Sequence, residues 1–277
     1  MRRRTLAACA GASALTLGLA LTVATPASAA PAAPKPVKLT HPGADHMGST
    51  IPAHEKTQHV TRNASPILLA SVAGMDVSGY QGNVNWSGAY GNGARFAYVK
   101  ATESTSYTNP YFTQQYNGSY NAGMIRGAYH FAVPSNSGGA AQADYFVAHG
   151  GGWSKDGKTL PPALDIEYNP YGATCYGLSQ ASMVSWIKAF SDEVHAKTSR
   201  WPVIYTTNDW WSTCTGNKGD FSSTNPLWIA RYASSAGTLP PNWGFYTIWQ
   251  FADSGTFPGD QDSFNGAYDR LQALANG

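Results

Sequence analysis

The sequence predicts an α/β fold, a TIM-like βα barrel whose last third has lost most of its helices. Apolar runs rich in β-branched and aromatic residues recur at intervals of about 25–40 residues between residues 74 and 277. Segments with helical spacing separate the earlier runs, which is the pattern of a mainly parallel sheet. Beyond residue 206 the helical spacing weakens, and loops rich in Gly, Pro and Ser join the remaining runs.

Seven of these runs are predicted to be strands. In chain order they are Gly74–Val77, Arg95–Ala101, Arg126–Ala132, Pro162–Glu167, Pro202–Thr206, Pro226–Arg231 and Tyr246–Phe251. A short helix is expected between the first two. Phe112, Tyr116 and Tyr120 recur every four residues and predict an apolar stripe on a helix after the second strand. The next predicted helices are Ala140–His149 and Leu178–Lys197, the latter with Ser179 as a candidate cap.

An open doubly wound sheet is the alternative architecture. Such a sheet usually binds a nucleotide through a glycine-rich turn. The sequence contains no Walker A motif, and Gly91-Asn92-Gly93 is followed by Phe96 where a dinucleotide fingerprint has its third Gly. The barrel is therefore preferred, and no cofactor is expected.

Charge and aromatic content place the folded domain at residues 74–277. The 277-residue chain is 43% hydrophobic and only 12% charged, which argues against a disordered chain and against a coiled coil. Residues 1–73 carry a net charge of +5 and residues 74–277 a net charge of −3, so the domain lacks the basic surface that nucleic acid requires. Every Trp, Tyr and Phe lies between Tyr80 and Tyr268.

Residues 1–29 are predicted to be a signal peptide, so the protein is expected to be secreted and extracellular. Arg2–Arg4 form a basic start, an apolar stretch runs from Leu6 to Ala24, and Ala27-Ser28-Ala29 supplies small residues for cleavage. A transmembrane anchor is the alternative, but the apolar stretch is short and ends before Pro26. The arginines fit either the general secretory or the twin-arginine route.

Residues 30–73 are predicted to be a disordered linker or pro-segment. Six Pro and no aromatic residue lie between residues 30 and 72, so this stretch cannot bury enough apolar surface to offset its ordering entropy. Its histidines, His41, His46, His54 and His59, have no regular spacing and no acidic cluster beside them, and no metal site is predicted.

Cys175 and Cys214 are predicted to form a disulfide. They are the two cysteines that remain once Cys9 leaves with the signal peptide, and a pair in an exported chain most simply bonds. Closing the loop between them should contribute about 4 kcal/mol of stability in the chain-entropy model. Two free buried thiols are the alternative.

Carboxylates are the reactive groups that remain after the motif search. No G-x-S-x-G, H-E-x-x-H or C-x-x-C sequence is present, so serine and zinc chemistry lack their motifs. Asp165 and Glu167 stand two apart at the end of an apolar run, where strand alternation points both side chains to one face. Further acids follow other predicted strands, namely Asp76, Glu103, Asp260 and Asp262. In a βα barrel the carboxyl ends of the strands carry the active site.

Such a cluster of acids indicates glycoside hydrolysis. With few bases nearby, at least one pKa should be raised, which yields a general acid at neutral pH, and two carboxyl groups are the minimum for cleaving a glycosidic bond. Aromatic side chains at or after strand ends can stack on sugar rings. They are Tyr80, Tyr129, Tyr205, Trp210, Trp211, Trp228, Tyr232 and Trp249. The alternatives are that Asp165 and Glu167 cap a strand or bind a cation, and that the aromatic residues fill the core.

An ordered set of short motifs between residues 74 and 277 resembles one enzyme family. The motifs are Gly74-Met75-Asp76-Val77-Ser78 with Gln81-Gly82, Lys100-Ala101-Thr102-Glu103, Gly127-Ala128-Tyr129-His130-Phe131, Leu164-Asp165-Ile166-Glu167, Leu227-Trp228-Ile229-Ala230-Arg231-Tyr232 and Trp249-Gln250-Phe251. They are similar to those of the glycoside hydrolase family 25 lysozymes, the Chalaropsis-type muramidases. Each motif alone is weak, but the ordered set is specific. The resemblance implies a modified TIM-like barrel of about five βα units followed by three strands with few helices.

The resemblance also implies an activity and a catalytic set. The activity is hydrolysis of the β-1,4 bond between N-acetylmuramic acid and N-acetylglucosamine, with retention through the substrate's own acetamido group. Glu167 would be the general acid/base, Asp165 would orient or stabilise that acetamido group, and Asp76 with a C-terminal acid would complete the cleft. The expected substrate-binding residues are Tyr80, Glu103, Tyr129, Tyr205, Trp228, Gln250 and Asp262. The expected partner is the glycan strand of bacterial peptidoglycan, and the mature chain is expected to be a monomer without a membrane anchor.

The C-terminal acid departs from the family pattern. The family shows Asp, then Asn two residues on, before an aromatic residue and Gly, whereas this chain has Asp260, Asp262, Phe264 and Gly266. Asp260 fits the Asp position best, and the sequence leaves the choice between Asp260 and Asp262 open. The alternative function is a catalytically inactive barrel that binds peptidoglycan or another glycan, although a binding-only site has no need of clustered carboxylates.

Overall fold

The described part of the chain is a βα barrel with an N-terminal segment lying against it. The computed structural model describes Met1 and residues 35–55, 61–62 and 70–277. The rest of the predicted signal peptide, and residues 30–34, 56–60 and 63–69 of the predicted linker, lie outside the described residues. Within the described ranges, no helix has the length and hydropathy needed to cross a membrane.

Seven α-helices and eleven strands occur in these ranges. The helices are α1 (Ile51–Glu55), α2 (Trp86–Gly91), α3 (Phe112–Asn121), α4 (Gly139–Ala148), α5 (Gln180–Thr198), α6 (Asn208–Thr215) and α7 (Tyr268–Asn276). The strands are β1 (Thr61–Arg62), β2 (Val72–Val77), β3 (Phe96–Glu103), β4 (Tyr107–Thr108), β5 (Ile125–Phe131), β6 (Ala163–Asp165), β7 (Val203–Thr206), β8 (Leu227–Ala230), β9 (Ile248–Ala252), β10 (Ser254–Gly255) and β11 (Asp260–Phe264).

Eight of the strands close into a barrel. Their order is β2-β3-β5-β6-β7-β8-β9-β11, and the barrel is closed because β2 pairs with both β3 and β11. Neighbouring strands are parallel except at β11, which runs antiparallel to β2 and to β9. The helices α2 to α6 follow the first five barrel strands in turn, and the last three strands are joined without helices. This arrangement confirms the predicted barrel of five βα units followed by three strands.

The sequence located most elements but not the eighth barrel strand. Helices α4 and α5 lie within two residues of their predicted bounds, and the Ser179 side chain caps α5 by accepting the Ser182 N–H. Strand β11 was not among the predicted strands because four of its five residues are polar, yet all five are buried between two neighbours. Helix α6 was also not predicted; it is short and is capped by Thr207.

Large aromatic residues fill the barrel and the layer between barrel and helices. Trp210, Trp211, Trp228 and Trp249 are all buried, so the core-packing interpretation holds for these four side chains. On the predicted stripe of α3, Phe112 stacks on Tyr116, whereas Tyr120 is exposed and lies beneath two cationic side chains. A rigid, densely packed barrel therefore supports whatever lies at its rim.

The N-terminal segment, residues 35–55, crosses the end of the barrel formed by the carboxyl ends of the parallel strands. Near its start, the Val37 N–H and C=O both pair with the Asn136 side chain, which follows β5. Beyond α1, β1 pairs with β10, which follows β9. Strands β5 and β9 stand on opposite sides of the ring. The composition predicted a disordered linker here, whereas residues 35–55 pack on the barrel and contain two fully buried apolar side chains, Met47 and Ile51.

Candidate active site

Six acidic side chains meet at one end of the barrel. Asp76, Glu103 and Asp165 lie on β2, β3 and β6 near the carboxyl ends of these strands, and Glu167 follows β6 by two residues. Strand β11 runs the other way, so its first residues, Asp260 and Asp262, lie at the same end. Each of the six is at most 1% exposed, which is unusual for ionisable groups and indicates a site built for their chemistry.

Glu167 has a pKa that suits a proton donor at neutral pH. The predicted strand Pro162–Glu167 included Glu167. The observed strand β6 ends at Asp165, so Glu167 lies just beyond the regular strand. Burial is the main cause that raises its pKa to about 8. Its Oε1 accepts the Gly48 N–H at 2.6 Å, and its Oε2 lies 3.4 Å from the Thr50 hydroxyl. Both contacts come from the N-terminal segment.

Asp165 is the second member of the pair and has fewer hydrogen-bonding neighbours than Glu167. Among the described residues, its carboxyl oxygens face no hydrogen-bonding group other than the Glu167 carboxyl. Burial is the main cause that raises the pKa of Asp165 well above its ordinary value, and the nearby charge of Glu167 is the second. Because a second negative charge beside the first is costly, the two carboxyl groups hold at least one proton between them. Such a pair suits a reaction that needs one acid and one charge stabiliser.

Gln250 links the acids on the first and last barrel strands. Its Nε2 donates to Asp76 Oδ2 at 2.8 Å and to Asp260 Oδ2 at 2.9 Å. The hydroxyl groups of Tyr205 and Tyr232 both donate to its Oε1, which fixes the orientation of the amide. Burial raises the pKa of Asp76 to about 7, and the Gln250 bond opposes that rise. Gln250, predicted as a substrate-binding residue, is thus placed among the acids.

Asp262 lies deeper in the barrel than Asp260. Asp260 pairs with Asp76 across the β2–β11 ladder, whereas Asp262 pairs with Gly74, one step further from the rim. The Trp228 indole N–H donates to Asp262 Oδ1 at 3.0 Å. Burial, and next the charge of Asp76, raise the pKa of Asp262 well above its ordinary value. The indole bond indicates that Asp262 and Trp228 pack as a buried pair beneath the site.

Glu103 is paired with a buried lysine. Lys100 Nζ lies 2.6 Å from Glu103 Oε2, and both side chains are fully buried. Burial raises the pKa of Glu103, while the Lys100 charge acts against that rise. The Tyr171 hydroxyl bonds to the other Glu103 oxygen and to Asp45 of the N-terminal segment. Lys100 and Tyr171 were not predicted as site residues, although a lone Lys inside an otherwise apolar strand needs a buried partner and could have been the signal.

The predicted sugar-binding aromatics divide into buried and exposed groups. Tyr129, Tyr205 and Trp228 have no exposed surface. Tyr205 and Trp228 donate to Gln250 and Asp262, and the Tyr129 hydroxyl accepts from the N-terminal segment. Tyr80 is 67% exposed at the rim, where its ring stacks with His46. Tyr168, which the sequence did not single out, stacks with His54, and its hydroxyl bonds to Asp209 and Glu55.

An open pocket lies at the carboxyl ends of β7 and β8, and none of the six buried acids lines it. It has a volume of about 270 Å³, and its lining includes Asn208, Asp209, Arg231 and Glu55. Glu55 belongs to the N-terminal segment, so this segment forms one wall of the pocket. Within the described residues, no group of three or more His, Cys, Asp or Glu side chains is arranged to hold a metal ion.

The predicted disulfide lies close to the site. Cys175, in the loop after β6, is bonded to Cys214 on α6, with Cα atoms 5.3 Å apart. It fastens the loop that carries Tyr168 and Tyr171 to a helix of the barrel wall. The disulfide therefore supports the side chains at this part of the rim.

The chain is similar in sequence and in fold to known glycoside hydrolases. Residues 75–260 match the model of glycosyl hydrolases family 25. The chain is 56% identical over 211 residues to an N,O-diacetylmuramidase of Chalaropsis sp., which covers 75% of this chain and 100% of the relative. It is 47% identical over 265 residues to Lysozyme M1 of Streptomyces globisporus, which covers 93% of this chain and 90% of the relative. A family GH25 lysozyme structure from Aspergillus fumigatus superposes with a TM-score of 0.74 at 51% identity, covering 75% of this chain and 100% of that one.

Proposed function

This chain belongs to glycosyl hydrolase family 25, and we propose that it is a secreted lysozyme that cleaves the β-1,4 bond between N-acetylmuramic acid and N-acetylglucosamine in peptidoglycan. It is a glycoside hydrolase, and relatives at 56% and 47% identity are named as a muramidase and a lysozyme. The observation that carries the proposal is the buried pair Asp165 and Glu167 at the rim of the barrel, with the pKa of Glu167 raised to about 8.

Glu167 serves as the general acid and then as the general base. Because its pKa is raised, its carboxyl group carries a proton at neutral pH and donates it to the glycosidic oxygen as the bond to the anomeric carbon breaks. The resulting carboxylate then takes a proton from the water that completes the hydrolysis. One residue thereby returns to its starting state in each turnover.

The 2-acetamido group of the muramic acid serves as the nucleophile, and Asp165 supports it. The acetamido oxygen bonds to the anomeric carbon as the leaving oxygen departs, so positive charge develops on the sugar. Apart from the neighbouring Glu167 carboxyl group, no group in the described structure donates to Asp165, and the acetamido N–H would provide a further donor. A hydrogen bond to the ionised form lowers a carboxyl pKa, so substrate binding favours a negative Asp165 beside the developing charge. Water attacks from the face of the departed sugar, and the configuration is retained.

The remaining acids shape the cleft. Asp76 and Asp260, linked through Gln250, complete the acidic wall opposite Glu167, and Glu103 with Lys100 closes another side. Secretion is supported by the leader at residues 1–29 and by the disulfide, since disulfides persist in oxidising compartments. We propose further that the enzyme acts as a monomer on the bacterial glycan strand.

Analysis of reducing ends tests this proposal. Purified peptidoglycan is digested, the products are reduced with borohydride, and the new alditols are identified. Reduced muramic acid is expected. Reduced glucosamine would instead indicate cleavage of the other glycosidic bond, and binding without new reducing ends would indicate the glycan-binding alternative.

A further inference from the structure

The candidate catalytic acids are covered by the chain itself. Asp165 and Glu167 are 0% exposed, although the substrate proposed above is a polymer that must reach them. Residues 42–51, named here the cleft segment, lie over these acids. We propose that the cleft segment is an autoinhibitory plug that occupies the glycan-binding cleft until it is displaced. This proposal rests on the proposed function, because it takes the acids as the site of hydrolysis.

The cleft segment holds the general acid directly. The Gly48 N–H donates to Glu167 Oε1 at 2.6 Å, and the Thr50 hydroxyl lies 3.4 Å from Oε2. Both carboxyl oxygens are therefore engaged. A glycosidic oxygen cannot approach the Glu167 proton while these contacts are present.

Backbone groups of the cleft segment bind further side chains of the site. The Met47 N–H donates to the Tyr129 hydroxyl at 3.4 Å, and the Gly48 C=O lies 3.3 Å from the Tyr232 hydroxyl, whose proton it shares with Gln250 Oε1. An amide N–H and an amide C=O are also the groups that the acetamido substituent of the sugar offers. The segment and the glycan therefore compete for the same donors and acceptors.

The buried lysine is engaged in the same way. Lys100 Nζ donates to the Pro42 C=O at 3.0 Å and to the Asp45 C=O at 2.7 Å, in addition to its pair with Glu103. Its charge is thus satisfied by the cleft segment on one side and by the site on the other. Removal of the segment leaves two of these donors for a ligand.

Ring stacking extends the contact along the rim. Three histidines of the N-terminal segment stack on tyrosines of the rim. The ring centroids are 5.2 Å apart for His41 and Tyr171, 5.3 Å for His46 and Tyr80, and 4.3 Å for His54 and Tyr168. Flat rings on tyrosine faces occupy the space that sugar rings would take. Val37 pairs beside β5, and Thr61–Arg62, further along the chain, pair beside β9 on the opposite side of the barrel, so the chain has contacts on both sides of the mouth.

One position of the cleft segment can be occupied by glycine alone. Gly48 has a φ of +78°, and a Cβ there would lie 2.0 Å from the Tyr232 hydroxyl oxygen and 2.7 Å from Gln250 Oε1. Gly43, in the same segment, is exposed, has no such φ, and would place a Cβ 3.6 Å from its nearest neighbour, the Tyr107 hydroxyl. These two glycines make a matched pair of test sites.

The test compares Gly48→Ala with Gly43→Ala and wild type, each with residues 35–277 shown intact by mass spectrometry. Peptidoglycan hydrolysis is followed by release of reducing ends. Amide hydrogen exchange of residues 42–51 is measured on the same samples and reports the position of the segment independently of activity. We expect at least tenfold faster hydrolysis by Gly48→Ala, with fast exchange in its cleft segment, and wild-type behaviour from Gly43→Ala.

Equal rates of hydrolysis by wild type and Gly48→Ala, with the segment released in the variant, would overturn the plug. Equal rates with the segment protected in both proteins would overturn it as well, because an intact plug would then coexist with activity. A loss of near-ultraviolet circular dichroism in Gly48→Ala would move the test to the second variant, Ile51→Asp, which places a charge at a fully buried position of the segment. The same two outcomes apply to it.

Failure of the proposed function is separable from failure of the plug. If a variant whose cleft segment exchanges fast still releases no reducing ends, the lysozyme proposal fails, and glycan binding then tests the plug. Soluble glycan strands prepared from peptidoglycan serve as the probe in titration calorimetry. At least tenfold tighter binding by Gly48→Ala than by wild type supports the plug, and equal binding overturns it.

Discussion

Asp76 and Asp260 face each other across the antiparallel pair β2–β11 and accept hydrogen bonds from the same Gln250 amide nitrogen. Asp262 also lies beside Asp76, but it receives no bond from Gln250 and is bonded to the Trp228 indole, two residues further into the barrel. The relationship supports Asp260, and not Asp262, as the C-terminal acid of the cleft. It also explains why the departure from the family pattern at Asp262 is tolerated, since an indole N–H can bond to Asp or to Asn.

Replacement of the proposed acid should abolish activity while preserving the fold. Glu167→Gln keeps an oxygen that can accept the Gly48 N–H but has no titratable proton, so a loss of at least 10²-fold is expected. Wall hydrolysis is measured in the wild-type and Gly48→Ala backgrounds, with Glu193→Gln on the outer face of α5 as control. Activity of Glu167→Gln within threefold of its parent would remove Glu167 from this role.

The two C-terminal acids should differ in their effect on activity. Asp260→Asn removes an acceptor that Gln250 shares with Asp76, and more than tenfold loss of hydrolysis is expected. Asp262→Asn keeps the acceptor for Trp228 and removes a buried charge beside Asp76, so a smaller loss is expected, with a melting temperature at pH 8 no lower than that of wild type. Steady-state rates and melting curves of both variants measure this. The opposite order of activities would assign the catalytic role to Asp262.

The stability of the intact chain should fall as the pH rises from 5 to 8. Burial raises the pKa of Glu167 to about 8 and that of Asp76 to about 7, above their unfolded values, and these two carboxyl groups outweigh His130, whose pKa burial lowers to about 3, so the folded state binds more protons than the unfolded state across this interval. The free energy of unfolding therefore decreases with rising pH. Calorimetry is expected to show a melting temperature roughly 5–10 °C lower at pH 8 than at pH 5. Glu167→Gln should flatten this dependence, and a melting temperature that rises over the interval would contradict it.

Loss of the disulfide should lower stability more than activity. Replacing Cys175 and Cys214 with Ser reopens a loop with a sequence separation of 39 residues, which is expected to cost about 2–4 kcal/mol. For a domain of this size the melting temperature should fall by roughly 5–15 °C, while hydrolysis at 20 °C stays close to the wild-type rate. Calorimetry of the double variant and of the reduced wild type tests this. Two alkylatable thiols in the untreated protein would show that the bond is absent.

The proposed mechanism fixes the first anomer formed. Substrate-assisted hydrolysis retains configuration, so NMR of a fresh digest should show the β-anomer of the new reducing end before mutarotation. Glycan strands de-acetylated at nitrogen on the muramic acid should be nearly inert, with re-acetylated strands as the control. An initial α-anomer would establish inversion and exclude the mechanism.

The barrel was predictable because its parallel strands are buried on both faces and therefore consist mostly of consecutive apolar residues. The exception, β11, carries Asp260 and Asp262 where other strands carry Val or Ile, and polar residues gave no strand signal. These carboxylates belong to the candidate site, and their polarity is the reason why the sequence did not predict the strand that carries them. Most site acids were predictable because they follow apolar runs at the rim.

The cover over the site was not predictable from composition. Residues 42–51 lack Trp, Tyr and Phe, and apart from the Thr50 hydroxyl the groups that bind Glu167, Lys100 and Tyr129 are backbone N–H and C=O groups. Every residue except Pro carries both groups, so these backbone contacts cannot be predicted from the pattern of side chains. Tyr171 was missed for a related reason, because its partners Asp45 and Glu103 lie far away in the sequence, whereas Lys100 lies three residues from its partner Glu103 and could have been found.

Closure of the barrel also governs when the cleft can first exist. Gln250 and Asp76 are 174 residues apart in the chain, and β2 must wait for β11 before the ring is complete. Synthesis proceeds from the N-terminus, so Asp76 leaves the ribosome long before Gln250 and Asp260 do. Pairing of such distant segments is slow relative to local helix formation, because the entropy of closing a long loop is lost before the contacts form. A growing chain therefore holds a set of separated acids, and hydrolytic competence arises only with the last strand.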